Sequence, residues 1–217
     1  MTQSVLAPGA APSLAQILGP TKGTGLIVKQ VVLVLAGIAL LAVAAKVKVP
    51  LWPSPVPITL GTFAVLTIGA TYGLRLGLMT ILGYLAIGAA GMDVFATSSA
   101  ENYGLAYMLG GSGGYLLGYA LAVAYLGWAS RRGLDRSIEG MGGSMLIANL
   151  AIYVPGLLWL HQWIVAGDRF DGAKFSSIWD QTLAWGLTPF LIGDLLKLAL
   201  AALLVPAIWA VVSKARK

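Results

Sequence analysis

Long apolar runs dominate the chain, separated by short polar stretches or by stretches rich in glycine and proline. Runs of this length read as α-helices that cross a bilayer, because a helix in lipid satisfies its own backbone hydrogen bonds. The pattern predicts six spans: about Leu26 to Val47, Ile58 to Tyr72, Leu76 to Ala90, Gly113 to Ala129, Met141 to Leu160 and Thr188 to Val212. The second and third are short and punctuated by glycine, which predicts tilted, broken or partly re-entrant helices. Pro155 is expected to interrupt the fifth. Gly69, Gly73 and Gly77 recur every four residues, as do Gly110, Gly114 and Gly118. Such bare faces let helix backbones approach closely, and packing is favoured over a ligand role.

Residues 1–25 are rich in Pro, Gly, Ala and Ser and lack a basic n-region. They are expected to form a flexible or interfacial leader rather than a cleaved signal. Residues 26–213 then make one transmembrane domain, and 214–217 a basic cytoplasmic tail. Placing the N-terminus inside puts nine Lys and Arg residues inside (Lys22, Lys29, Arg75, Arg131, Arg132, Arg136, Lys214, Arg216, Lys217). It leaves four outside (Lys46, Lys48, Arg169, Lys174), which favours cytoplasmic termini.

Three outer loops stand out. "PLWPSPVPITL" holds four prolines in eight residues, Pro50, Pro53, Pro55 and Pro57, and should be extended and stiff. A stiff loop in that place is expected to act as a lid, from about Pro50 to Thr62. Trp52 and Ile58 would supply apolar cover, and Thr59 and Thr62 hydroxyls. The second loop, "GMDVFATSSAENYGLAYMLGGSGG", is polar and glycine-rich. The third runs from His161 to Gly186, and its Ser177-x-x-Asp180 predicts the start of a short interfacial helix.

Composition fixes the class. Apolar residues make up 58% and charged residues 10%, too apolar for a water-facing surface, so the chain is an all-α integral membrane protein. The net charge of +6 fits cytoplasmic anchoring, and no basic, aromatic-interleaved patch points to nucleic acid. There is no cysteine, no GxxxxGK[ST] phosphate loop, no metal-ligand cluster and no nucleophile–base constellation. The chain reads as a substrate-binding membrane unit without its own ATPase.

Asp194 and Lys197 break this pattern. They lie at i and i+3 in the last span and share a helix face. Asp194 is expected about 9 Å in from the outer end. A charge there costs a few kcal/mol unless it is paired or faces a polar cavity. One reading is an ion pair that only ties helices together. The favoured reading is a small polar ligand held from the outer side, with the carboxylate accepting N–H groups and the ammonium donating. His161 and Tyr115 read most simply as interfacial residues, Asn102 as a turn residue, Asn149 as helix glue and Arg75 as the anchor of a tight inner turn. A membrane-embedded enzyme using Asp194 as base, and a scaffold, remain alternative classes.

Six stretches in order resemble one family: "PVPITLGTFAVL", "GLRLG", "GMDVFA", "GGSGGYLLGY", "IYVPGLLWL" and "PFLIGDLLK". The chain resembles the BioY family, the biotin-specific S components of energy-coupling factor transporters, from about Ile27 to Val212. The resemblance implies an S-component-like bundle of six helices, biotin as transported ligand with no cofactor, and no enzymatic step. It implies as partners a transmembrane T component and ABC-type ATPases. It places the substrate-binding residues at Asp194, Lys197, Asn102 and Tyr115. An S component for another vitamin would share the architecture and differ in site chemistry.

Overall fold

The computed structural model describes residues 11–49 and 54–215. Among the expected features, residues 1–10 of the leader, Pro50, Trp52 and Pro53 of the first outer loop, and Arg216 and Lys217 lie outside the described residues. The helices are α1 (Leu14–Ile17), α2 (Gly23–Lys46), α3 (Gly61–Ala89), α4 (Gly104–Met108), α5 (Gly113–Arg131), α6 (Ile138–Ala166), α7 (Ile178–Gly186) and α8 (Leu191–Ala215). The two-residue strands β1 (Lys48–Val49) and β2 (Ile58–Thr59) pair antiparallel across the first outer loop. Among the described residues, four helical stretches are long and apolar enough to cross a membrane: Gly23–Lys46, Gly61–Ala89, Ile138–Ala166 and Ile178–Lys214.

Helix α3 is not one rod. Gly73 has φ 75° and ψ 175°, a conformation open to glycine and strained for other residues. A Cβ on Gly77 would lie 3.9 Å from the Cα of Gly69. Eight residues of straight helix would separate those positions by about 12 Å. The chain therefore doubles back at Gly73, which divides α3 into arms 61–72 and 74–89. Arg75 sits exposed at this turn. Ser13 and Leu14 of the leader are buried beside it, and the Ser13 hydroxyl donates to the Tyr72 carbonyl at 3.2 Å.

Helix α5 lies between α3 and α6, and its glycines make both contacts possible. A Cβ on Gly118 would sit 2.6 Å from Ile152 Cα, and one on Gly114 would sit 2.4 Å from Trp159 Cβ. On the other side, Gly69 and Gly77 face Leu126 and Val123. Gly69, Gly77, Gly114 and Gly118 are helix seams, as their spacing predicts, whereas Gly73 makes the reversal and Gly110 lies in the turn before α5.

The expected interruption at Pro155 does not occur, because α6 runs unbroken from Ile138 to Ala166. Proline frees the carbonyl four residues back, that of Ala151. That oxygen abuts the bare Gly118, where a Cβ would lie 3.1 Å away. The neighbouring glycine gives the backbone room to relax. At the opposite end of the bundle from the site, Trp209 donates through Nε1 to Asp135 at 2.7 Å, and Arg136 covers the Trp209 ring at 4.6 Å. These contacts tie the last turns of α8 to the α5–α6 connection and fix the helix that carries Asp194.

Candidate functional site

Asp194 stands in the first turn of α8 and is 5% exposed. A buried carboxylate needs donors, and three elements supply them. Thr62 at the start of α3 donates its hydroxyl to Oδ1 at 3.2 Å, and Tyr153 of α6 donates to Oδ2 at 2.5 Å. Lys197, one turn on, donates to Oδ1 at 2.8 Å and to the Thr62 hydroxyl at 3.3 Å. The pair is charge-neutral and desolvated, and α3, α6 and α8 converge on it.

These groups form one wall of a cavity. Much of the remaining lining is aromatic. Tyr115 and Tyr119, one turn apart on α5, share the lining with Tyr84, Phe95 and Tyr107. Phe95 is buried, stacked on Tyr107 at 4.9 Å and edge-on to Tyr84 at 5.4 Å. Tyr115 donates to the Gly186 carbonyl at 2.8 Å and meets the Tyr153 ring edge-on at 6.3 Å. A face of rings beside an acceptor–donor pair suits a small amphipathic ligand with both N–H and carbonyl groups.

Loops close over the cavity. Val56, Pro57 and Thr59 of the first loop line it, and the Ser54 hydroxyl donates to the Trp185 carbonyl at 2.7 Å, joining this loop to α7. Phe95 and Ala96 bring in the second loop. In the third loop, Ser177 caps α7 by accepting from Asp180 N at 3.1 Å. The Asp180 carboxylate bonds the backbone and hydroxyl of Ser176 instead, one residue earlier than a capping box would place it.

Of the residues singled out in the sequence, Asp194, Lys197 and Tyr115 meet in this cavity. Asn102 does not line it. It is exposed and closes a tight turn in which its backbone and that of Ser99 exchange hydrogen bonds. Asn149 is buried in α6 off the lining, and its Oδ1 has no partner among the described residues. His161 lies against the Trp179 ring at 4.2 Å. Sequence reasoning missed Tyr153, Tyr119 and Phe95. Two signals pointed to the tyrosines: Tyr115 and Tyr119 are i and i+4, and a phenol inside an apolar span needs a partner.

The family model described as BioY family matches residues 9–214. A "Probable biotin transporter BioY" of Pyrococcus horikoshii is 34% identical over 176 residues, covering 81% of this chain and 93% of the relative. A protein of the same description from Methanothermobacter thermautotrophicus is 39% identical over 142 residues, 64% of this chain and 85% of the relative. The "Biotin transporter BioY" of Thermotoga maritima is 31% identical over 180 residues, 79% and 92% of the two chains. Among solved structures, the fold is similar to the S-component for biotin from an ECF-type ABC transporter. The TM-score is 0.71 at 20% identity, over 87% of this chain and 95% of that one.

Proposed function

The chain belongs to the BioY family, and on that premise we propose that it captures biotin at the outer face of the cytoplasmic membrane as the substrate-binding S component of an energy-coupling factor transporter. The observation that carries the reading is the buried Asp194–Lys197 pair opening on an aromatic cavity. Biotin has a ureido ring with two N–H donors and one carbonyl, and apolar carbons for the rings to cover. Asp194, Lys197 and Tyr115 hold it, with Thr62 and Tyr153 orienting the carboxylate. Asn102, as placed here, stays outside that set. The chain carries out no chemistry on its ligand. A T component and ABC-type ATPases supply the energy for release inward.

Purified in detergent, the protein binds labelled biotin saturably and near one per chain. Folded protein with no saturable binding, or equal displacement by unrelated vitamins, would overturn the substrate assignment.

Six crossings follow if both arms of α3 count as spans, which the reversal at Gly73 supports, and if the 19-residue α5 crosses as well. The Lys and Arg asymmetry then puts both termini in the cytoplasm. The chain has no cysteine, so single introduced thiols report cleanly. In intact cells an impermeant thiol reagent labels Ala173→Cys and leaves Ser4→Cys unlabelled. The reverse pattern would invert the topology.

The first outer loop is the lid. Val56, Pro57 and Thr59 already line the cavity, and a proline-stiffened segment loses little entropy on closing. Replacing Pro55 and Pro57 by glycine speeds biotin dissociation several-fold, with a smaller change in association. Unchanged release from a folded variant would leave the loop a spacer.

A further inference from the structure

The inner end of the cavity is electrically balanced, because Asp194 and Lys197 cancel and are already hydrogen-bonded to each other. Biotin, on the reading above, brings a neutral ureido ring and one carboxylate that is ionised at neutral pH. A second carboxylate beside Asp194 would leave net negative charge in a buried site where the Lys197 ammonium is already engaged. The ureido ring fits that end without charge. The tail carboxylate therefore needs a cation elsewhere on the same cavity.

On the topology proposed above, the outer side has four cations, Lys46, Lys48, Arg169 and Lys174. Arg169 donates to the Trp163 carbonyl at 2.8 Å and lies over the Trp163 ring at 3.9 Å. Lys174 pairs with Asp171 at 2.9 Å. Like Lys46 and Lys48, neither residue is itself part of the cavity lining. The other two flank its wall. Lys46 directly follows the lining residue Ala45, and Lys48 donates through Nζ to the carbonyl of the lining residue Ala96 at 2.5 Å. Lys46 is bonded to Asp93 at 2.5 Å, and that ammonium holds the Asp93 carboxyl below the usual carboxylate range. One of the two ammonium groups is thus paired with a carboxylate, leaving a net single positive charge. The Lys48 ammonium has a neutral carbonyl as its hydrogen-bond partner and two further protons to donate.

We propose that Lys48, backed by Lys46, is the anion subsite for the ligand's tail: the ureido ring rests on Asp194 and Lys197, and the carboxylate reaches the outer wall and takes a charge-assisted hydrogen bond from Lys48. The site therefore recognises the free acid at one end and the uncharged ring at the other. The exposed charge also draws the anionic ligand to the mouth, an attraction that salt screens.

The test compares biotin with its primary amide, which keeps the ring and the chain length and lacks the charge. The parent binds biotin about tenfold or more tightly than the amide, the size expected of one charge-assisted hydrogen bond. Lys48→Gln loses that preference: biotin affinity falls about tenfold while amide affinity stays within about twofold, and Lys48→Arg retains the parent preference. Biotin association slows with salt in the parent and less so in Lys48→Gln. A Lys48→Gln variant that leaves the preference intact, or weakens both ligands equally, overturns the subsite. If the parent binds biotin and the amide equally, the biotin assignment stands and the subsite falls. If the parent binds neither, both fall.

Discussion

Asp194→Asn lowers biotin affinity by about a hundredfold or more, and Lys197→Met does so to a similar degree. Each removes half of a buried, hydrogen-bonded ion pair, a change that costs about 2–5 kcal/mol in buried recognition sites. The asparagine keeps the shape and one acceptor. Its amide nitrogen then confronts either Tyr153, the donor to Oδ2, or Lys197 and Thr62, the donors to Oδ1. The ligand meets a donor where it needs an acceptor, and Lys197 is left buried without its counter-charge. Because an unpaired buried lysine also strains the fold, Asp194→Asn/Lys197→Gln is the informative companion. It restores neutrality and removes the folding problem. If the pair merely tied helices together, the double variant would bind biotin like the parent. If the pair holds the ligand, the double variant is no better than the worse single variant. Equilibrium binding on monodisperse protein separates the two outcomes. Tyr153→Phe is the graded control, removing one of the three donors to Asp194 and weakening binding about threefold to tenfold.

Much of the site is legible in the sequence because lipid makes charge expensive. In a water-soluble protein, Asp194 and Lys197 would be two surface residues among many. In an apolar run their spacing alone marks a shared face and a cost to be offset. The glycine seams are legible for a related reason: helices in lipid gain little from burying leucine against leucine, so close approach leaves a visible period of small residues. "GLRLG" likewise announces a turn, though not that Gly73 alone makes the reversal inside what looks like one helix. The remainder depends on contacts distant in sequence. Nothing in "IYVPGLLWL" shows that Tyr153 reaches a carboxylate 41 residues later, or that Phe95 folds in from a polar loop to stack on Tyr107. Pro155 misleads because a local rule about helices neglects the neighbour: Gly118 stands where the freed carbonyl needs room. Asn102 shows a different limit. A polar, glycine-rich loop carries no period, so resemblance gives a residue without fixing where its turn points, and here that turn lies off the cavity.

The same Gly→Ala substitution should have opposite signs at two positions. Gly143, on the exposed side of α6, has nothing within 4 Å of where a Cβ would sit. Alanine there gains helix propensity and is neutral or stabilising by up to about 1 kcal/mol. At Gly118 the added carbon would lie 2.6 Å from Ile152 Cα and 2.7 Å from the Ile152 carbonyl oxygen. Both are backbone atoms of a helix, so no side chain can rotate away, and α5 must part from α6. Overpacking of this kind costs about 1–3 kcal/mol or more, and melting points of chains this size move by roughly 2–4 °C per kcal/mol. Gly118→Ala therefore melts several degrees below the parent in detergent, and Gly143→Ala at or slightly above it. The seam also sets the site, since α5 carries Tyr115 and Tyr119 while α6 carries Tyr153. Parting the helices pulls the Tyr153 hydroxyl from Asp194 and widens the aromatic wall, so the surviving folded Gly118→Ala protein binds biotin more weakly as well. A Gly118→Ala protein as stable as the parent would mean that the seam tolerates a methyl group and that the four-residue glycine period serves something other than close packing. Lowered stability with parental biotin affinity would mean that the cavity is held by α3 and α8 independently of the α5–α6 spacing.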